Sequence, residues 1–174
     1  MIGFRESKSK NNTWNVIKTF LQSSVFWATT LVFFPSLIVV YLHPHVSNLF
    51  HFTPQIILGI VLFCLFSVLG VYSGYIMSTV GKGTPLPLDC AQKLVVKGPY
   101  RFVRNPMAVA GISQAIAVGI YLGSYLVIIY ALLGALFWHI AVRPLEEKDL
   151  LQRFEKDYAS YKDSIWCWIP KFKS

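Results

Sequence analysis

The side chains best suited to chemistry fall in two short runs, Arg104-Asn105 in mid-chain and Arg143 with Glu146-Glu147 near the end. An arginine fork grips a carboxylate or phosphate through two parallel hydrogen bonds. An amide donates and accepts at once, and a pair of acids attracts a cation. Such a set suits a charged, water-soluble ligand. Each member also has a plainer reading: Arg104 and Arg143 border apolar blocks, where basic residues anchor membrane proteins. Glu146 and Glu147 open a helix, where the macrodipole favours acids. What favours chemistry is convergence, because the block between Arg104 and Arg143 is long enough for a hairpin that brings its two ends together.

Other candidates carry less. His43, His45 and His51 fall in a polar turn with no acid or thiolate nearby, and Cys64, Cys90 and Cys167 form neither a CxxC nor a pair, so no metal site is expected. His139 sits a turn from the end of an apolar run, where snorkelling to the interface explains it as well as a site does. Gly81-Lys-Gly-Thr-Pro lacks the spacing of a phosphate-binding loop and reads as a turn leaving the membrane. Its continuation to Pro106 is too long to be a plain connector and too rich in aliphatic and aromatic residues for disorder.

The elements that must position these residues are apolar. Of the 174 residues 55% are hydrophobic and 14% charged, against about a quarter charged in a soluble domain. No Asp, Glu, Lys or Arg occurs from Val25 to Met77 or from Asn105 to Val142. Two such blocks leave no solvated face, so the chain is expected to be an all-α integral membrane bundle. A bilayer core needs about 20 helical residues per crossing. The first block yields spans near 25–42, with Pro35 as a kink, and 55–77. The second is expected to cross twice, near 105–121 and 124–142, turning at Tyr121 to Ser124. Residues 1–24 form a polar cytoplasmic or interfacial lead, and 25–174 one membrane domain.

Basic residues occupy the lead, the loop 78–106 and the tail, while the two remaining turns have none, which predicts four spans with both termini cytoplasmic. The membrane is the plasma membrane for a prokaryotic source and the endoplasmic reticulum for a eukaryotic one. Beyond the spans, Glu147, Leu151, Phe154, Tyr158, Tyr161 and Ile165 recur at helical spacing and predict an amphipathic cytoplasmic helix over 144–165. The net charge of +8 lies beside the apolar blocks rather than on a separate basic face, so nucleic acid is not an expected partner. Membrane lipids are.

Gly98-Pro-Tyr-Arg-Phe-Val-Arg-Asn-Pro106 resembles the Gly-x-Tyr-x-x-x-Arg-His-Pro signature of the isoprenylcysteine carboxyl methyltransferase and phospholipid methyltransferase group. Glu146-Glu147, Leu150, Phe154, Tyr158 and Tyr161 are similar to its second signature of paired acids, Phe-Gly and two tyrosines. Gly83-Thr-Pro with Leu94-Val-Val is similar to its bacterial branch. The resemblance covers roughly Gly81 to Pro170. It implies S-adenosyl-L-methionine as cofactor, held by Gln92, Lys93, Leu94, Val95, Tyr100, Asn105, Pro106, Met107, Ala108 and Glu146. It also implies a substrate-positioning arginine at or beside Arg143, with Arg104 and Glu147 completing the catalytic set and no metal required. Four positions depart from the pattern: Asn105 stands for the usual histidine, Ala108 for a tyrosine, Glu155 for the glycine after Phe154, and Cys167 for an arginine.

The chemistry implied is in-line methyl transfer to an amphiphilic acceptor, a prenylcysteine-like carboxylate or a lipid amine, and the sequence does not choose between them. An NADPH-dependent membrane sterol-type reductase shares an Arg-x-Pro segment and a late aromatic pair, but this chain is short for one. A non-catalytic membrane protein that keeps the fold is the reading that the departures at Asn105, Ala108 and Cys167 favour. A channel or transporter would need strongly polar residues deep in the spans, and these are nearly absent.

Overall fold

The computed structural model describes residues 11–45, 49–84 and 90–170, so parts of the lead, the loop and the outer turn lie outside the described residues. Helix α1 (Asn12–His45) is followed by α2 (Gln55–Thr79), α3 (Pro106–Leu122) and α4 (Tyr125–Phe137). A π turn, Trp138–Val142, carries α4 without interruption into α5 (Arg143–Ser164). No strand forms among the described residues, although Leu49 and Ser124 make an isolated bridge. Helices α1, α2 and the Tyr125–Ser164 rod are long and apolar enough to cross a membrane, and α3 is a shorter apolar helix. At 1.5 Å per residue the 17 residues of α3 reach about 26 Å, just under the thickness of the hydrocarbon core. The chain is an integral membrane helical bundle.

Helix α1 starts earlier than hydropathy predicts. Asn11 caps it, its Oδ1 accepting from Thr13 N–H at 2.9 Å and Trp14 N–H at 3.3 Å. The polar residues Asn15 and Thr19 then lie buried at 0% and 1% exposure beside α2, with Thr19 against Gly74. Pro35 does not break the helix. Its ring would meet the carbonyl four residues back, and α1 instead widens into π turns at Thr29–Phe33 and Ile38–Leu42 on either side.

Small residues set the packing, as expected where lipid supplies no hydrophobic drive between helices. A β-carbon on Gly59 would stand 2.8 Å from the Tyr121 Cα, so only glycine lets α2 and α3 approach this closely. The hairpin turn falls at Gly123, which closes α3 in the left-handed conformation (φ 63°) open to glycine. Ser124 then caps α4, its Oγ accepting from Val127 N–H at 3.2 Å and bonding His43 Nε2 at 2.8 Å. The outward faces are apolar: Leu65, Val68, Leu133, Phe137 and Ile140 are each more than half exposed, which water would penalise and lipid does not.

The tail differs from one continuous amphipathic helix. Glu155 takes φ 40°, ψ −115° and breaks α5. Past the break Tyr158, Tyr161 and Ile165 pack on Leu94, Leu150 and Phe154, while Leu151, predicted on the buried face, stays exposed. The chain then runs as a strap beside the loop. Arg104 N–H donates to the Trp166 carbonyl at 3.0 Å, Asn105 N–H to the Cys167 carbonyl at 3.4 Å, and the Trp168 indole to His139 Nδ1 at 3.0 Å.

Candidate functional site

Asn105 is the joint between the loop and the bundle. Pro106 takes the first position of α3, where a missing N–H costs nothing. Asn105 caps the helix, its Oδ1 accepting from Ala108 N–H at 3.1 Å, and its Nδ2 donates to Glu146 Oε2 at 3.2 Å. The two halves of one amide thus tie α3 to α5, and the start of α3 is fixed against the first acid of the pair.

The two acids have opposite surroundings. Burial first, and Glu147 second, push the Glu146 carboxyl up to about 7. Glu147 is also desolvated, but cations surround it. Arg104 Nη1 lies 2.7 Å from its Oε1, Lys162 Nζ 2.7 Å from its Oε2, and Arg143 Nε 3.8 Å away. These outweigh burial and hold Glu147 below the ordinary carboxylate range. Burial opposes the charge on Arg104, yet Glu147 and Tyr158 raise its pKa on balance; its Nη1 also donates to the Tyr158 hydroxyl at 3.3 Å. Burial pushes the Tyr158 phenol up to about 12. Neighbouring carboxyls driven apart in this way mark different duties: Glu147 is a fixed anion joining loop to tail, and Glu146 is a half-buried acid with no ion-pair partner among the described residues.

Two cavities meet at this point. One, of 140 Å³, lies among α1, α3 and the α4 rod and is walled by Phe26, Trp27, Leu31, Ile112, Tyr130 and Trp138. The other, of 120 Å³, lies between loop and tail and is walled by Thr84, Cys90, Tyr100, Arg104, Asp149 and Arg153. The first is predominantly apolar, and the second is lined by more charged side chains. Asn105, Met107 and Glu146 line both. Arg153 braces the polar cavity, pairing with Asp149 at 2.6 Å and donating from Nη1 to the Ala91 carbonyl at 2.6 Å.

The phospholipid methyltransferase family matches residues 54–157, more than half of the chain. The chain belongs to that family. Comparison with curated proteins gives no match. The phospholipid methyltransferase region takes in α2, α3, α4, the loop and α5 as far as the residues just past its break. It leaves out α1, which supplies Phe26, Trp27 and Leu31 to the apolar cavity.

Within this framework Tyr100, Arg104, Asn105, Met107 and Glu146 line the polar cavity, and Ala108 lines the apolar one. Pro106 is buried at the helix start. The segment from Gln92 to Val95 lines neither cavity. The Gln92 and Lys93 N–H groups bond the Gly81 carbonyl at 2.7 and 3.2 Å, Leu94 packs on the tail, and Val95 is buried beside Gly81. Arg143 and Glu147 lie in the ion cluster next to the cavities. Sequence reasoning passed over Thr84, Asp149 and Arg153 in the polar wall and Trp27, Tyr130 and Trp138 in the apolar wall. The signal for Asp149 and Arg153 was present, because both follow Glu146 at helical spacing. Among the described residues no cluster of His, Cys, Asp and Glu could hold a metal.

Proposed function

We propose that this chain transfers a methyl group from S-adenosylmethionine to a lipophilic acceptor at the cytoplasmic face of the membrane. The observation that carries the reading is the meeting, at Asn105, Met107 and Glu146, of a predominantly apolar cavity and one lined by Arg104, Asp149 and Arg153. Such a joint lets a reactant from water and a reactant from lipid face each other across one shared wall. Its donor set fits the cofactor. Among the described residues Glu146 is a half-buried acid without an ion-pair partner, the Thr84 hydroxyl oxygen is buried without a hydrogen-bond partner, and an arginine–acid pair lies close by for polar groups. Bound there, S-adenosylmethionine would supply a methyl group already activated on a sulfonium.

The residues then divide the remaining work. Glu146, once ionised, offsets the cofactor's positive charge, and Asn105 holds that carboxyl in place. Arg104, Glu147 and Tyr158 act as positioning residues, fixing loop to tail so that the polar cavity keeps its shape. Phe26, Trp27, Leu31 and Ile112 keep water from the joint and accept a hydrocarbon chain. Arg143 follows directly on the turn that bears Trp138 of the apolar wall, and in this reading it orients an anionic group on the acceptor. Because α1 lies outside the family match and forms part of this wall, the acceptor follows from this chain's own residues.

Calorimetric titration of the detergent-solubilised protein with S-adenosylmethionine and S-adenosylhomocysteine, with NADPH as control, tests the proposal. Binding of the first two that disappears in Glu146→Ala supports it. Silence with both from folded protein refutes it, and binding of NADPH alone would point to a reductase.

A further inference from the structure

A third cavity, of 730 Å³, opens at the loop-bearing end and shares no residue with the other two. Its walls include Tyr72 and Ile76 from the last turns of α2 and Val96, Lys97, Arg101 and Phe102 from the loop. No acid lines it. The ion pairs among the described residues engage Arg104, Arg143, Arg153 and Lys162, and neither Lys97 nor Arg101 has a carboxylate partner there. The Arg101 guanidinium instead lies 5.3 Å above the Phe102 ring. Tyr72, Val96 and Phe102 are 48%, 46% and 37% exposed. They continue the lipid-facing stripe that Val61, Leu65 and Val68 form along α2.

Scattered cations beside a span need no explanation beyond anchoring. Here two of them, without counter-ions among the described residues, share one concavity whose far wall is lipid-facing. Aromatic rings of this kind sit at headgroup depth. A ligand that satisfies every wall carries a negative charge at one end and hydrocarbon at the other. We infer that this cavity binds an anionic phospholipid. Lys97 and Arg101 hold the headgroup phosphate, and Tyr72 and Ile76 back the first carbons of an acyl chain. The inference does not depend on the methyl-transfer reading.

Native mass spectrometry of the delipidated full chain, titrated with phosphatidylglycerol or phosphatidylcholine, tests it. Each basic side chain near an anionic membrane surface contributes about a fivefold preference. Lys97→Gln/Arg101→Gln should therefore weaken phosphatidylglycerol binding about thirtyfold, and Lys97→Gln alone about fivefold. Lys148→Gln/Lys156→Gln, the same charge change on the tail, should stay within about threefold of the parent. Equal losses in the two double variants would overturn the site in favour of a general field. Displacement of the lipid by equimolar glycerol 3-phosphate would overturn it in favour of a soluble phosphate. A parent that binds both lipids equally would remove it altogether.

Discussion

The break in α5 gives the most direct test of how this sequence holds its fold. Glu155 takes φ 40°, ψ −115°, where the β-carbon crowds the backbone and only glycine is at ease. Backbone held in such a region costs about 1–3 kcal/mol. The Glu155 side chain returns little, being exposed and without an ion pair or hydrogen bond among the described residues. Replacing it with glycine should release the strain. Against that stands the greater freedom of glycine in the unfolded chain, about 0.5–1 kcal/mol. The net expectation for Glu155→Gly is a gain of about 1 kcal/mol. For a chain of this size that is about 2–4 °C in Tm. The readout is thermal unfolding in detergent, followed by labelling of the buried thiols of Cys90 and Cys167 as the tail undocks. Glu155→Ala is the control, because alanine keeps the β-carbon and therefore the strain. A glycine variant less stable than the parent, with an alanine variant at or above it, would refute the reasoning.

Glu147→Gln should destabilise the protein by about 3 kcal/mol, because it leaves Arg104, only 11% exposed, without its counter-ion. Most of that loss should be absent in Lys162→Gln, where the partner is 39% exposed and the pair is worth about 0–1 kcal/mol; chemical denaturation of both variants checks the difference. Glu146 sets a pH dependence of the opposite sign to a salt-bridged acid. Its pKa is raised from 4.5 to about 7 on folding, so its contribution is full below about pH 4.5 and is lost as pH rises through 7. Stability profiles of the parent and Glu146→Gln should therefore diverge across that window, with the variant flatter. For the same reason a cationic ligand at Glu146 should expel a proton near pH 7, seen as a dependence of the calorimetric enthalpy on buffer ionisation. Gly59→Ala should separate α2 from α3 at Tyr121 and lower Tm in the same labelling assay.

The bundle was legible because its strongest signal is negative: two long stretches without charge admit no other class. A turn near Tyr121 to Ser124 was legible for a related reason, since the second apolar block is too long for one crossing and the basic flanks require the chain to return. The meeting of Asn105 with Glu146 followed from topology, as a hairpin brings its two ends together. Hydropathy could not place the start of α1. Asn15 and Thr19 are polar by type yet buried, Thr19 against Gly74 of α2, and one-dimensional scales cannot register such packing. Nor could periodicity find the break at Glu155, because Phe154, Tyr158 and Tyr161 keep helical spacing through it. The segment from Gln92 to Val95, read as cofactor contacts from the resemblance, is occupied in loop closure and tail packing. The polar wall also draws on Asp149 and Arg153, which follow Glu146 at helical spacing, and on Thr84, which joins them only when loop and tail dock.

The rod from Tyr125 to Ser164 has a mechanical consequence. Tyr130 and Trp138 on its apolar half wall one cavity, and Asp149 and Arg153 on its polar half wall the other, with continuous helix between them that passes through the π turn and Pro144. From Tyr130 to Arg153 the axis runs about 35 Å, and the break at Glu155 lies beyond both walls. Such a rod is a lever pivoting where it leaves the hydrocarbon. The thickness of the surrounding bilayer sets the tilt of a crossing helix, so a thinner or thicker membrane swings the far arm and changes the width of the polar cavity. Ligand affinity measured in bilayers of graded acyl length is therefore a gauge of that swing, and the lipid environment acts on the water-facing side without touching it.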